Sequence, residues 1–319
     1  MEAQKKELFL QKTIVVWVGA LICCALWGSA FPCIKLGYKW MQIEASDTAT
    51  QILYAGIRFT LAGVLAIAIG SALQKRFLFP EREALPKVVW LAFLQTVLQY
   101  LFFYVGLAHT TGVKASIIEG MNVFVAVFVA GYLFRQEKVT TKKLVGCVIG
   151  FIGVILVNIL GGSFAGGFVL QNPFAGESGI SLFGEGFIFF STVSYAFSSV
   201  FLKSYSKKHD PVMLSGYQFL LGGVIMMICG LLSGGRITQI GPRAAAMLLW
   251  LAVVSAVAYS LWGILLKYNP VSRVAVFGFM NPVFGVILSA ILLQESQSLG
   301  AGAIVSLAFV CAGIYIVNK

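Results

Sequence analysis

Tyr100–Leu133 reads YLFFYVGLAHTTGVKASIIEGMNVFVAVFVAGYL, and 159 positions later Tyr259–Leu292 reads YSLWGILLKYNPVSRVAVFGFMNPVFGVILSAIL. Without a gap, Tyr100 falls on Tyr259, Leu107 on Leu266, Lys114 on Arg273, Met121-Asn122 on Met280-Asn281, Val127 on Val286 and Leu133 on Leu292. Each copy is an apolar run, a short polar turn and a second apolar run. A repeat of this kind sets the architecture before any single element is read.

Neighbouring offsets carry the match outward. Trp27…Lys35 falls on Tyr195…Lys203, Phe59…Gly63 on Phe219…Gly223, and Gly153–Asn158 on Gly313–Asn318. Of the 319 residues, 59% are hydrophobic and 11% charged, against roughly a quarter charged in soluble domains, which excludes a water-soluble globule. A bilayer core about 30 Å thick needs on the order of 20 apolar residues per helix. Thr13–Ile34, Val88–Ala108, Pro211–Gly235, Ala244–Leu266, Val274–Gln294 and Ser296–Asn318 carry no charge, and 144–160 and Gly186–Leu202 add two more runs. Thr50–Leu73 and Ala115–Phe134 each hold a single charge, Arg58 and Glu119.

The expected fold is therefore all-α and membrane-integral, with ten transmembrane helices as two inverted five-helix repeats. Residues 1–160 form the first repeat, the Gly/Phe-rich 161–181 an extracytoplasmic connector, and 182–319 the second. Five is odd, so the second copy enters the bilayer from the opposite face, and a binding site is expected near the midplane between the halves.

The net charge of +11 would suggest nucleic acid only if gathered on one solvated face. Here the basic residues punctuate the apolar runs. With a cytoplasmic N-terminus, seventeen fall in inside segments (1–12, 75–87, 135–143, 203–210, 267–273 and Lys319) and five outside (Lys35, Lys39, Lys114, Arg236, Arg243). That bias orients membrane helices. Both termini are expected in the cytoplasm, the protein in the cytoplasmic (inner) membrane, its partner the lipid bilayer and not a nucleic acid. The first run is too long for a signal-peptide core, and more spans follow it. All six cysteines sit in predicted helices, with neither metal spacing nor a disulfide framework.

Pro32 and Pro282 lie inside predicted helices and release the carbonyls of Gly28 and Gly278, so a kink or a polar contact is expected at each. Gly146-x-x-x-Gly150 and Ala308-x-x-x-Ala312 read as small-residue packing faces.

Trp27-Gly28-Ser29 with Lys35, Arg58-Phe59, the run Gly106–Ser116, Asn281-Pro282, and the Glu137 and Glu295 that close the fourth and ninth runs resemble the drug/metabolite transporter superfamily, in its EamA-like ten-helix branch. The similarity covers essentially the whole chain. It implies a secondary transporter with a central cavity lined from both halves and with the fifth and tenth helices peripheral. It does not imply a substrate. The departure is Glu119, where a small or hydroxyl residue is expected.

No phosphate loop and no His-Glu-x-x-His pair is present, and His109 and His209 fall at loop positions, so neither an enzyme nor a cofactor or metal is expected. Glu119 is the most informative residue, because an ionisable group inside a span is costly and normally faces a wet interior. Asn122 shares its helix face, and Gln95 and Gln99, one turn apart, are expected to form a second polar stripe. The counterparts of Glu119, Gln95 and Gln99 in the second half are Gly278, Val254 and Ala258, so an asymmetric ligand is expected, with its polar end on the first half and an apolar part on the second. Trp27, Tyr100, Tyr104, Tyr259, Trp262, Tyr195, Ser198 and Asn281 are candidate lining. Arg58 is read as structural, its long side chain snorkelling outward. Lys35 is read as an anchor at a membrane edge, and Glu137 and Glu295 as helix-end or gating residues.

The expected function is alternating-access transport of a small metabolite, amine or drug-like compound, with a cationic substrate and protons as the partners suggested by Glu119. A homodimer is left open. A lipid flippase or a membrane scaffold is the alternative, and mid-span polar residues argue against the scaffold.

Overall fold

The computed structural model describes residues 2–44, 46–108, 118–160, 182–292 and 301–318, and among them every regular element is helical. After a short α1 (Glu2–Gln11) come α2 (Thr13–Met41), α3 (Thr48–Gln74), and α4, built from Leu85–Leu91, Ala92–Leu98 and Gln99–Ala108. Next are α5 (Ile118–Leu133), α6 (Thr141–Leu160), α7 (Leu182–Ser206), α8 (Pro211–Leu232) and α9 (Pro242–Tyr268). The chain ends with α10, built from Val271–Ala275, Val276–Phe279 and Met280–Leu292, and α11 (Ala301–Asn318). Six helices (α2, α3, α4, α7, α8 and α9) are each long and apolar enough to cross a bilayer, and α5 and the end of α11 are shorter apolar helices. The molecule is an all-α, multi-pass membrane protein. Ile14, Val18, Ile22, Val64, Ile69, Phe93 and Leu232 are exposed on its outside, where lipid tails rather than water suit them.

Local chemistry sets the helix ends. Asp47 accepts from the Thr50 N–H at 2.9 Å to start α3, and Asp210, followed by Pro211, accepts from Val212 and Met213 at 2.9 and 3.0 Å to start α8. Gln42 and Lys75 close α2 and α3 in the left-handed conformation, with φ of 55° and 51°.

Sequence counterparts pack on each other. A Cβ at Gly63 would lie 2.4 Å from the Leu220 nitrogen, and one at Gly223 would lie 2.4 Å from the Thr60 nitrogen. Only glycine lets backbones approach so closely. Along this contact Leu53 meets Gly230, Gly56 meets Met227 and Gly70 meets Val212, so α3 and α8 run antiparallel. The same holds for α6 and α11, where Gly146 meets Val317 and Gly150 meets Gly313. Ala308 and Ala312 do not form the expected packing face. Both are exposed, while Val310, Ile314 and Val317 turn inward with Gly313, because the glycine, rather than the alanine pair, permits the closest backbone approach.

The inside segments of the sequence meet at one end of the bundle. Arg273 donates to the Gln11 carbonyl and to Thr13 Oγ1, Lys203 to the Leu266 and Asn269 carbonyls, and Gln136 to the Val200 carbonyl. His209, a loop position in the sequence reading, is buried beside Lys87 Nζ at 2.7 Å. His109, Lys114 and the connector 161–181 lie outside the described residues.

Pro32 leaves α2 a continuous α-helix. Pro282 lies downstream of a real break, since Val276–Phe279 is a 3-10 turn that contains Gly278, whose carbonyl the proline cannot bond. Three π-helical stretches have no signature in the apolar pattern: Ala92–Leu98, Val129–Leu133 and Leu182–Gly186.

Candidate functional site

Seven helices, α2, α3, α4, α5, α7, α9 and α10, surround a cavity with about 120 Å³ open to water-sized molecules. Its floor is aromatic. The Trp27 indole meets Tyr259 and Trp262 edge-on, each with ring centroids 5.0 Å apart. The Tyr259 hydroxyl hydrogen-bonds its sequence counterpart, the Tyr100 hydroxyl, at 2.8 Å. Phe59 lies 4.4 Å from Tyr100 and stacks at 5.3 Å on Phe219, its own counterpart. Residues that touch their repeat partners mark the relation between the halves, and the cavity lies beside them.

The polar wall rises above this floor. Glu119 and Asn122 face the cavity from α5, and Gln99 and Tyr104 from α4. Arg58 is 3% exposed, donates to Ser255 Oγ at 2.9 Å and places its guanidinium 5.1 Å over the Phe59 ring. Asn281, Pro282 and Gly278 enter from α10. A Cβ at Gly278 would lie 3.4 Å from Asn122 Oδ1, so the glycine that answers to Glu119 leaves room beside Asn122.

Four buried polar atoms of the cavity lining find no protein partner among the described residues: Trp27 Nε1, Arg58 Nε, Gln99 Oε1 and Asn281 Oδ1. Glu119 and Arg58 do not form an ion pair with each other among the described residues. Unpartnered donors, an unpartnered acceptor pair and a carboxylate on one wall can bind a small solute that offers both acceptors and donors.

Most expected residues converge here: Trp27, Gln99, Tyr100, Glu119, Asn122, Tyr259, Asn281 and Pro282, with Tyr104 and Tyr195. Others do not. Gln95 is turned away and accepts a hydrogen bond from Gln218 Nε2. The expected Gln95/Gln99 stripe is split because Gln95 belongs to the π-helical stretch, whose wider turn shifts the register on which a one-turn spacing relies. Trp262 backs Trp27 without lining the cavity, Ser198 is spent on the Tyr195 carbonyl, and Pro32 is buried in α2. Arg58 does not snorkel. It points into the cavity because Ser255 and the Phe59 face hold it there. Lys35 does not line the cavity, and its side chain is exposed on α2, which continues to Met41. Glu137 accepts from the Ser272 N–H and Oγ at 3.0 and 2.8 Å and pairs with Lys143 at 3.2 Å, far from the cavity lining. Glu295 lies outside the described residues.

Sequence reasoning missed Ser191 and Thr192, which join the lining from α7 and make the second half more polar than expected. Their signal was available. They precede Tyr195 by one helical turn, and so share its face.

The comparisons with known proteins agree with this architecture. Residues 14–159 and 182–319 match the EamA-like transporter family. An uncharacterized transporter of Archaeoglobus fulgidus is 27% identical over 95% of this chain and 98% of its own length. A probable amino-acid metabolite efflux pump of Salmonella typhimurium is 26% identical over 93% and 92%. A solved crystal structure superposes with a TM-score of 0.72 over 94% of this chain and 95% of that one, at 15% identity, which is a likeness of fold alone. The chain belongs to the EamA-like transporter family and is a membrane transporter.

Proposed function

We propose that this family member is a secondary transporter that carries a small molecule bearing both an anionic and a cationic group, by alternating access between its two inverted halves. The observation that carries this reading is the cavity wall that holds Arg58 and Glu119 apart, together with Trp27 Nε1, Gln99 Oε1 and Asn281 Oδ1. Buried polar atoms left unpaired are costly in an apolar bundle. A solute with an acceptor end for Arg58 and Trp27, and a donor end for Glu119, Gln99 and Asn281, offsets that cost. The aromatic floor of Trp27, Tyr100 and Tyr259 suits the ammonium of such a solute, because ring faces attract cations. The efflux-pump relative is named for substrates of this chemistry, which supports the reading. A scaffold would gain nothing from these groups.

The orientation belongs to the same proposal. The basic segments gathered at one end face the cytoplasm of the cytoplasmic membrane, and residues 1–160 and 182–319 act as the two moving halves. Glu119 is the residue on which proton or cation coupling turns. A thermal-shift screen of the purified protein against small zwitterions, simple amines and simple carboxylates tests the ligand class, since a ligand that binds only the folded state raises its apparent stability. Zwitterions should stabilise most. Stabilisation by amines alone, unaffected by Arg58→Gln, would overturn the assignment of Arg58.

A further inference from the structure

Gln218 and Thr96 answer, in the opposite repeats, to Arg58 and Ser255, the pair that bonds beside the cavity. Neither of them lines that cavity. Gln218 donates to Gln95 Oε1, and its own Oε1 has no partner among the described residues, nor have Thr96 Oγ1 and Ser215 Oγ. None of these four residues is more than 1% exposed. Hydroxyls inside helices commonly return to a carbonyl of the preceding turn, as Thr60 and Ser206 do at 2.8 and 2.9 Å. Thr96 and Ser215 do not.

All four lie between the aromatic floor and the basic end. On α4, Gln95 and Thr96 stand between Tyr100 of the floor and Lys87, which bonds His209 at that end. On α8, Ser215 and Gln218 stand between the Asp210 cap and Phe219, which stacks on Phe59. Glycines flank them. A Cβ at Gly263 of α9 would lie 3.6 Å from Ser215 Oγ, and one at Gly222 of α8 would lie 3.1 Å from Thr96 Oγ1. Gly263 stands where the first repeat has Tyr104, a residue of the cavity lining. Ser215, Gln218 and Gly222 share one face of α8, and the step from Ser215 to Gly222 covers about 10 Å at 1.5 Å per residue. That length exceeds the coordination shell of a single ion and suits a small solute.

We propose that Ser215, Gln218 and Thr96 form a second binding site, which the transported solute occupies on the basic side of the Tyr100–Tyr259 floor after the halves exchange conformations. The inference rests on the alternating-access reading above. In an inverted repeat the exchange gives each half the surroundings of the other, so the place of Arg58 and Ser255 beside the cavity passes to Gln218 and Thr96. The solute moves from a charged wall to a neutral one. Hydroxyls donate or accept, and the Gln218 amide oxygen accepts, so the site serves either end of a zwitterion. Hydrogen bonds between neutral groups are weaker than those that Arg58 and Glu119 offer, and a site that holds loosely lets its ligand leave.

The test uses the full-length protein with native cysteines replaced and one cysteine introduced at a time. Each variant is labelled with trimethylammonium-ethyl methanethiosulfonate, which does not cross the bilayer, in cells and in inverted vesicles. Phe103→Cys, in the cavity lining, reports alternating access by reacting from both faces. Ser215→Cys and Thr96→Cys should react from the basic face at roughly ten times the rate of Leu265→Cys or more, because a conformation populated at a few per cent exposes the first two. Leu265 is equally buried, two residues from Gly263, and packs on Gly19 of α2. Thr96→Val should leave thermal stability intact, since no hydrogen bond is lost. Reaction of Phe103→Cys from both faces, with Ser215→Cys and Thr96→Cys no faster than Leu265→Cys, overturns the second site and leaves alternating access standing. A loss of stability in Thr96→Val does the same, since its hydroxyl would then have a structural partner. Reaction of Phe103→Cys from one face alone overturns alternating access, and the second site with it.

Discussion

Among the described residues, the first half of the molecule brings both charges that line the cavity, and the second half brings none. Arg58 is answered in the second repeat by Gln218 and Glu119 by Gly278. Gln218 is fully buried and donates to Gln95 instead of facing the cavity, while Gly278 lines it as bare backbone. Across the contact between the halves, Tyr100 nevertheless meets Tyr259 and Phe59 stacks on Phe219. The difference teaches that a duplicated scaffold keeps the residues at the contact between its halves and is free to vary the residues around the ligand. A site built this way has two distinguishable ends.

The comparison breaks most visibly at Glu119. Glu119→Gln keeps the shape and removes the charge, so it should abolish the stimulation of substrate flux by an imposed pH gradient in proteoliposomes, with folding and expression intact. Glu119→Asp should retain part of it. Gradient dependence unchanged in Glu119→Gln would make this carboxylate a structural partner only.

Arg58→Gln, which imports the second half's residue into the first, should raise the apparent Kd of a zwitterionic substrate by about tenfold or more, the worth of one charged hydrogen bond. The reverse change, Gln218→Arg, should destabilise the protein instead, because Gln218 is sealed between helices. Equal effects on binding from both substitutions would erase the asymmetry.

At the contact between the halves the expectation is sameness. Gly63→Ala and Gly223→Ala each push a methyl group against backbone, at 2.4 Å in both cases, and should lower stability alike by about 1–3 kcal/mol. Thermal unfolding in detergent measures this, and a large inequality would mean that the α3–α8 crossing is not shared evenly. The smallest effect belongs to the tyrosine pair. Tyr100→Phe and Tyr259→Phe remove the same hydrogen bond, so each should cost about 1 kcal/mol, and the double variant should cost little more than either alone. Additive losses would show that the two hydroxyls serve different partners.

Glu119 could be singled out from the sequence because a carboxylate in an apolar run is conspicuous, and Asn122 and Asn281 because the repeat places them at the same step. Arg58 was conspicuous for the same reason, yet its direction was misread. A long side chain in a span can either snorkel or turn inward, and the choice lies with Ser255, 197 positions away. Gln95 and Gln99 differ in fate because a π-helical stretch intervenes, and no apolar pattern announces one. Ser191 and Thr192 were legible through Tyr195 but look ordinary in isolation.

The sequence by itself determined the helices, their number of apolar runs, the repeat and the clustering of basic residues, since each follows from the cost of putting peptide groups and charges into hydrocarbon. Only the tertiary structure decided which side of each helix faces the cavity and which charges share it. A helix that is apolar on every side carries no stripe that fixes its rotation. Its rotation is set by glycine crossings and by the partners of a few buried polar groups, and those partners come from the other half of the chain.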